Sequence, residues 1–445
     1  MLVNTRKLIL SLIVLSGWNI AQAQEVWTLK QCIDTAQVHN KTLQINRNNL
    51  SISEQRKKET QANLIPKVTA NVDYKYFMEL PTQLMPMNAL NPQAPEGQFR
   101  DLQFGVPHNI NANVQLAMPL YNPQIYGAIQ STQIAKELTE LQFQKSEEQV
   151  LFDITTLYYN AQIIVHQLAF LDSNIANTEK LLKNMQLLKD QLLAKGSDVS
   201  KVKLQAEQLN TQMQNVNNKL IQVLNALKLN MGISLEQNIT VVSEIQQEVS
   251  LQSNTKNVLE LKIIQKQNQL LHSDLKTLNQ SRFLPSLNLV ASYGTTGFGY
   301  DKTPNDFLKF YPIGFAGLQL TYPLFNGTVT QRKINQKKLE ISNNELQAQL
   351  IGDKNKMETE NALRQRTIAQ QTVIVTENQI TLAQSIYEQT VLQQKQGTTT
   401  LTDVLLADNA LREAQQNYLS AVVDYLKADL ELKKLTGTIK NENNE

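Results

Sequence analysis

The residue types that most often perform chemistry are sparse in this sequence and are not arranged into a site. The four histidines are His39, His108, His166 and His272. They lie far apart, without the spacing of metal ligands. Cys32 is the only cysteine, which excludes an internal disulfide. No nucleophile motif or phosphate-binding loop occurs. The sequence therefore predicts a protein that is not an enzyme and that binds no metal or cofactor.

Charge and composition narrow the class of protein further. The 445 residues include 42 basic and 40 acidic side chains, and the formal net charge is +2. Because the two signs are interspersed, no basic patch indicates a nucleic-acid partner. With 15 glycines and 12 prolines, the chain favours long helices over a loop-rich globule.

The first 23 residues have the order of features found in a secretory signal peptide. Arg6 and Lys7 end a short basic region, residues 8–15 are mostly apolar, and Ala21-Gln22-Ala23 supplies a cleavage site with small residues. Residues 1–23 are therefore excluded from the fold. Beyond them no stretch of about 18 apolar residues occurs, so a membrane crossing would have to use β-strands.

Proline placement divides the rest of the chain, because proline interrupts the interior of a helix. All 12 prolines lie within residues 66–123 and 285–323. The intervals without proline carry apolar residues at alternating steps of four and three, as at Val150, Ile154 and Leu157. This spacing is typical of helices that wrap around one another.

Within the two proline zones, apolar and polar residues alternate, which predicts β-strands with one apolar face. We assign these residues to a lipid-facing surface: Val68, Val72, Tyr74, Val114, Leu116, Leu287, Leu289 and Tyr293. The Asn, Thr and Ser residues between them would face an aqueous lumen. The fourth strand alternates less cleanly between Ile313 and Tyr322, so its facing is left open.

The two halves of the chain repeat one order of elements. Leu64-Ile65-Pro66 matches Phe283-Leu284-Pro285, and Pro119-Leu120-Tyr121 matches Pro323-Leu324-Phe325. Pro66, Pro119, Pro285 and Pro323 are therefore predicted to mark turns between strands and helices. The first repeat, residues 24–245, is predicted to hold helix 28–64, strands 67–79 and 109–119, and helices 124–195 and 200–231. The second, residues 246–445, is predicted to hold helix 256–283, strands 286–299 and 312–323, and helices 328–396 and 402–436.

The number of strands predicts an oligomer. Four strands cannot close a barrel, and eight would leave an interior filled by side chains. Three chains would supply twelve strands, an even number that fits an outer-membrane barrel with a lumen. We therefore expect a homotrimer in which each edge strand pairs with a neighbouring subunit.

The chain resembles the TolC-like outer membrane factor family in four features. These are the secretory start, the helix that opens with Trp27-Thr28-Leu29, the Leu-Pro turns and the Pro-Leu-aromatic turns. The resemblance covers essentially the whole mature chain. It implies a mainly α-helical fold with a small transmembrane β part, in which a trimeric 12-stranded β-barrel is continued by a periplasmic α-helical barrel. It also implies an outer-membrane channel of a tripartite efflux pump or type I secretion system. The expected partners are outer-membrane lipid, a periplasmic adaptor (membrane fusion) protein and an inner-membrane pump.

The resemblance also suggests a periplasmic gate after the second hairpin tip. Asp403 matches an aspartate that forms a charged ring in the family, whereas Thr399 and Leu406 replace the family's latch arginine and second aspartate. Asp403 has the alternative role of favouring the first turn of a helix. The hairpin tips are the candidate adaptor contacts: Gly196, Ser197, Asp198, Gly397, Thr398 and Thr399. Their glycines have the alternative role of an ordinary left-handed turn.

Two other functions compete with a channel. A periplasmic coiled-coil scaffold or adaptor without a barrel accounts for the heptad spacing but leaves the alternating strands unexplained. A diffusion porin accounts for the strands but not for the long helical pattern.

Overall fold

The computed structural model describes residues 25–90, 92–93, 95–244, 259–304 and 306–438. The predicted signal peptide lies outside the described residues. The chain divides into two compact units, and each draws on both halves of the sequence. The first unit comprises the described residues of Met1–Leu50, Glu140–Ile264 and Gln347–Glu445, and the second those of Ser51–Thr139 and Gln265–Leu346.

Helices account for most of the described chain. The two longest are α4 (Pro123–Asp190) and α7 (Val329–Lys395), with 68 and 67 residues, each about 100 Å long at 1.5 Å per residue. The others are α1 (Leu29–His39), α2 (Lys41–Ala62), α3 (Met87–Leu90), α5 (Gly196–Met231), α6 (Leu259–Phe283) and α8 (Leu401–Thr436). No described helix is both long enough and apolar enough to span a membrane.

The single helix predicted over residues 28–64 is wrong, because the structure has two helices separated at Asn40. The Asn40 backbone is extended, and its side-chain oxygen accepts a hydrogen bond from the Leu43 backbone N–H at 3.0 Å, as at a helix N-terminus. Its amide also donates to the Asn230 carbonyl at 2.5 Å. A contact distant in sequence thus stabilises the break, and local spacing did not reveal it.

The core of the first unit forms around the start of the chain. Cys32, Ile154 and Leu227 are fully buried there, from α1, α4 and α5 respectively. Burial raises the pKa of the Cys32 thiol to about 12, so this cysteine is held as an unreactive apolar group. At the end of α5, Gly232 has a left-handed backbone with φ 77°, and a β-carbon there would lie 2.1 Å from the His39 carbonyl oxygen. Only glycine fits this helix end.

The strands are β1 (Glu25–Trp27), β2 (Lys67–Tyr76), β3 (Thr82–Pro86), β4 (Phe99–Gln103), β5 (His108–Tyr121), β6 (Ile239–Val241), β7 (Ser286–Tyr300) and β8 (Phe307–Thr321). Four of them form one antiparallel sheet in the order β2, β5, β7, β8. Within the described residues, β2 and β8 are its edges. An edge strand presents a row of unpaired backbone groups to any further strand.

Two smaller pairings were not predicted. β3 and β4 form an antiparallel hairpin inside the long connection between β2 and β5, and β1 pairs in parallel with β6. The three-residue strands β1 and β6 are too short to show a periodic pattern. The β3–β4 hairpin has prolines at and near its ends, and proline argues against a strand in a sequence-based assignment.

Pro119 is not a turn between strand and helix, as predicted, but lies inside β5. The register between β5 and β7 shifts between Pro119 and Tyr121. Proline has no backbone N–H to donate to a neighbouring strand, so a bulge is the arrangement that accommodates it. Pro66, Pro285 and Pro323 do lie in the short connections between helices and strands.

Candidate functional site

The register of the four-stranded sheet places all eight predicted lipid-facing residues on one face. Val68 pairs with Leu116, and Val114 pairs with Tyr293, and directly paired residues point to the same side of a sheet. Alternation along each strand adds the remaining members, which are Val72, Tyr74, Leu287 and Leu289. We call this set the apolar face.

The apolar face is largely uncovered in the single chain. Val68, Val72 and Tyr293 are 64%, 77% and 72% exposed. Contiguous exposed apolar surface of this kind marks a site that contacts lipid or another protein. The structure thus collects the predicted residues into one surface, and their contact with lipid stays a prediction.

The opposite face is mostly polar on β2, on β5 and on β7 as far as Thr296, and we call it the polar face. The row of Asn71, Asn113 and Gly294 runs across these strands. Near it, Thr296 donates a hydrogen bond to Asn111 at 3.0 Å. Side chains that bond to one another in this way suit a surface that contacts water.

The fourth strand carries apolar residues on both faces. Leu318 and Leu320 lie on the apolar face, opposite Leu289 and Leu287, whereas Ile313 and Phe315 lie on the polar face. This double pattern is the physical reason that its facing could not be assigned from alternation.

The second hairpin tip joins α7 to α8 through Gly397, which has φ 74°. The Thr398 backbone N–H donates to the Gln393 carbonyl at 3.0 Å and closes the end of α7. Thr400 caps α8, and Asp403 completes a capping box by accepting from the Thr400 backbone N–H at 2.9 Å. The Thr399 hydroxyl also donates to Asp403, at 2.8 Å.

These contacts hold Asp403 in its ionised form. Hydrogen bonds from the Thr400 side chain, the Thr400 backbone and the Thr399 side chain lower its pKa below the usual 3.8. The role at the start of a helix is therefore present in the single chain, while the charged ring stays a prediction. Leu406, the third predicted gate residue, is 61% exposed.

The first hairpin tip departs from the expected glycine turn. Gly196 is the first helical residue of α5, and the left-handed residue is Leu192, with φ 59°. The turn at Leu192 also ends α4 at Asp190, earlier than the predicted residue 195. Ser197 and Asp198 follow in the first turn of α5. There the Asp198 carboxylate forms an ion pair with the Lys201 ammonium group, with 3.3 Å between Oδ1 and Nζ.

A buried polar cluster near the hairpin tips was not predicted from the sequence. The Asp408 carboxylate on α8 is 4% exposed and accepts short hydrogen bonds from Gln205 of α5 and Arg412 of α8. The position of Asp408 in the sequence indicates that it is buried, because Val404, Asp408 and Leu411 follow the four-and-three spacing of buried helix residues. A charged residue at such a position predicts a specific partner.

Comparison with known proteins bears on both the fold and the family. The outer membrane efflux protein family model matches residues 272–438, which include about half of α6 and all of β7, β8, α7 and α8. The chain carries an outer membrane efflux protein domain. The resemblance inferred from the sequence is thereby confirmed. Among curated proteins, none matches this sequence.

Solved structures of outer-membrane proteins share the fold of this chain over most of its length. VceC from Vibrio cholerae is 14% identical and aligns with a TM-score of 0.71, covering 92% of this chain and 96% of its own. CmeC from Campylobacter jejuni is 14% identical, with a TM-score of 0.71 and coverage of 92% and 85%. The open state of MtrE from Neisseria gonorrhoeae is 14% identical, with a TM-score of 0.69 and coverage of 92% and 88%. The predicted fold class, mainly α with a small β part, is confirmed by this similarity.

Proposed function

We propose that this protein is the outer-membrane channel of a tripartite efflux pump or a type I secretion system. It gives substrates a continuous exit path across the periplasm and the outer membrane, and it acts as a conduit without catalysing a reaction. The observation that carries the proposal is the four-stranded sheet, which among the described residues has two unpaired edge strands and one uncovered apolar face. The efflux protein domain in the second half of the chain supports the same function.

The proposed assembly follows from the edge strands that a single sheet leaves without a pairing strand among the described residues. Each neighbouring pair in the sheet is antiparallel, so the edge strands β2 and β8 run in opposite directions. β8 of one copy can therefore form an antiparallel pair with β2 of the next copy. Three copies close twelve strands into a barrel, which removes every edge and places the apolar face against lipid. The polar face then lines the lumen.

The hairpin tips support an assignment of the contact sites for the partners. In the periplasm, the turns at Leu192 and Gly397 are the breaks between paired helices, and loops between rigid elements are where proteins present contact residues. We assign the adaptor contacts to these tips and the connection to an inner-membrane pump to the adaptor. A periplasmic scaffold without a barrel leaves the exposed apolar face without an explanation.

Cell fractionation tests the proposal. We expect the mature chain in the outer membrane as a trimer that resists detergent and dissociates on heating, and we expect the purified trimer to conduct ions in planar bilayers. A soluble periplasmic monomer that forms no pore would contradict the proposal.

A further inference from the structure

The polar face of the sheet becomes apolar at its fourth strand, β8. Across one row of paired residues, Thr69, Gln115 and Ser292 lead to Phe315. Across the next row, Asn71, Asn113 and Gly294 lead to Ile313. The change is therefore a property of β8 and the distal part of β7, and not of the whole face.

The apolar residues on this side form one continuous stripe. Its members are Phe298, Tyr300, Phe307, Tyr311, Ile313 and Phe315. The rings of Tyr300 and Phe307 are stacked with centroids 6.2 Å apart, and those of Phe298 and Tyr311 are 6.1 Å apart. Ile313 and Phe315 are 58% and 61% exposed. We call this set the aromatic stripe.

A lysine lies within the aromatic stripe. Lys309 pairs across the strands with Phe298, and its ammonium nitrogen lies 5.8 Å from the centroid of the Phe307 ring. In the described part of the chain, no ion pair joins Lys309 to a carboxylate. The stripe therefore combines exposed aromatic surface with a positive charge that is available to an anion.

A neighbouring copy offers nothing apolar to cover this surface. On the polar face, the β2 strand that would pair with β8 carries Lys67, Thr69, Asn71, Asp73 and Lys75. These polar and charged side chains match the rest of the lumen lining and not an aromatic surface. In the proposed trimer, three copies of the stripe thus face the lumen.

We propose that the aromatic stripe and Lys309 form a transit site for amphipathic aromatic anions, an inference that rests on the proposed channel function. The rings contact the apolar body of the cargo, and Lys309 attracts its acidic group. The contacts of Phe307, Tyr311, Ile313 and Phe315 are exposed and individually weak, as a conduit requires, because cargo that binds tightly would not leave.

Single-channel recording from the purified full-length trimer tests this site. The probe is 8-anilino-1-naphthalenesulfonate, and the controls are methanesulfonate, which lacks an aromatic body, and tetraphenylphosphonium, an aromatic cation. We expect the aromatic anion to block the wild-type current for about tenfold longer than methanesulfonate does, since aromatic contact adds to charge attraction. Equal dwell times for these two anions overturn the proposal.

Variants separate the two parts of the site. The double substitution Tyr311→Ser with Phe315→Ser is expected to shorten blockades by the aromatic anion about tenfold. Lys309→Gln is expected to shorten those blockades while leaving tetraphenylphosphonium blockades unshortened. Phe310→Ser is the matched control, because Phe310 lies on the same strand but on the apolar face, opposite Gly297. If the dwell times of the aromatic anion in the stripe variants equal those in the wild type, the proposal is overturned.

Assembly of the same variants gives an independent check. The heat-sensitive trimer is expected to persist in Phe315→Ser. Loss of the trimer in Phe315→Ser, with normal assembly of Phe310→Ser, would mean that the stripe faces lipid and would overturn the proposal. A wild-type chain that forms no pore overturns the channel function itself, which distinguishes that failure from a failure of the transit site alone.

Discussion

A β-carbon placed on Gly127 of α4 would lie 2.1 Å from the side-chain oxygen of Thr277 on α6. The two helices therefore approach so closely that only a glycine fits at this contact. Just beyond it, Ser131 of α4 donates a hydrogen bond to Asp274 of α6 at 2.8 Å. The close approach positions this polar contact, which a wider separation would break.

Gly127→Ala is expected to destabilise the second unit, because an added methyl group must displace Thr277. Overpacking of this kind costs roughly 1–3 kcal/mol. The matched control is Gly352→Ala in the interior of α7, where a β-carbon meets no atom within 4 Å. There alanine should stabilise the helix by about 1 kcal/mol. Thermal unfolding of the purified proteins, followed by circular dichroism, measures both changes, and equal shifts would show that the α4–α6 contact is not tight.

The two faces of the sheet are tested by neighbouring residues on β2. Val72→Asp places a charge on the apolar face and should reduce the trimer in the outer membrane, since a charge facing lipid costs on the order of 2 kcal/mol per chain. Asn71→Asp places the same charge on the polar face and should assemble normally. Immunoblots of fractionated membranes, with and without heating, provide the measurement. Equal tolerance of both substitutions would mean that the faces are assigned wrongly.

The sheet faces could be predicted because alternation needs no knowledge of distant contacts. Val68 and Val114 were assigned separately, from two strands, and the register places both on one side. β8 could not be resolved in this way because Phe315 and Leu318 are both apolar and lie on opposite faces. Alternation is informative only where one face is polar.

The interruptions of the helices depend on contacts or backbone conformations that spacing does not encode. Asparagine occurs within helices as well as at their ends, and the bond from Asn40 to the Asn230 carbonyl stabilises a helix end there. Leucine gives no signal for a left-handed turn, yet Leu192 adopts one and is 94% exposed. By contrast, Asp408 could have been found, because a carboxylate in a buried seam requires a partner.

Asp403 is tested by the ion selectivity of the pore. Asp403→Asn removes the charge and should lower the preference for cations in planar-bilayer recordings if three copies form a ring. Because hydrogen bonds lower its pKa, the Asp403 carboxylate stays charged in mild acid, and wild-type selectivity should persist at about pH 5. Asp198→Asn, in the corresponding first turn of α5, is the control. Unchanged selectivity in Asp403→Asn would leave this residue with a capping role only.

Asp408 tests whether the buried polar cluster stabilises the contact between α5 and α8. Asp408→Ala leaves the donors of Gln205 and Arg412 without their acceptor, and we expect a loss of about 2 kcal/mol. Asp408→Asn keeps one side-chain oxygen and should lose less. The midpoints of thermal unfolding compare the two variants with the wild type, and a wild-type midpoint for Asp408→Ala would show that the cluster adds nothing to stability.

The pH dependence of this contribution has a defined sign. Burial raises the pKa of Asp408 above its usual 3.8, and Arg412 and Gln205 offset this effect only in part. The folded chain therefore holds this proton more tightly than the unfolded chain does. The stability that the proton contributes is fully present below pH 3.8 and is lost as the pH rises through the raised pKa of the folded state. Asp408→Asn cannot titrate, so its stability relative to the wild type should improve as the pH rises from below 3.8 towards neutrality. A relative stability that falls over this range would mean that the Arg412 ion pair outweighs the cost of burying the charge.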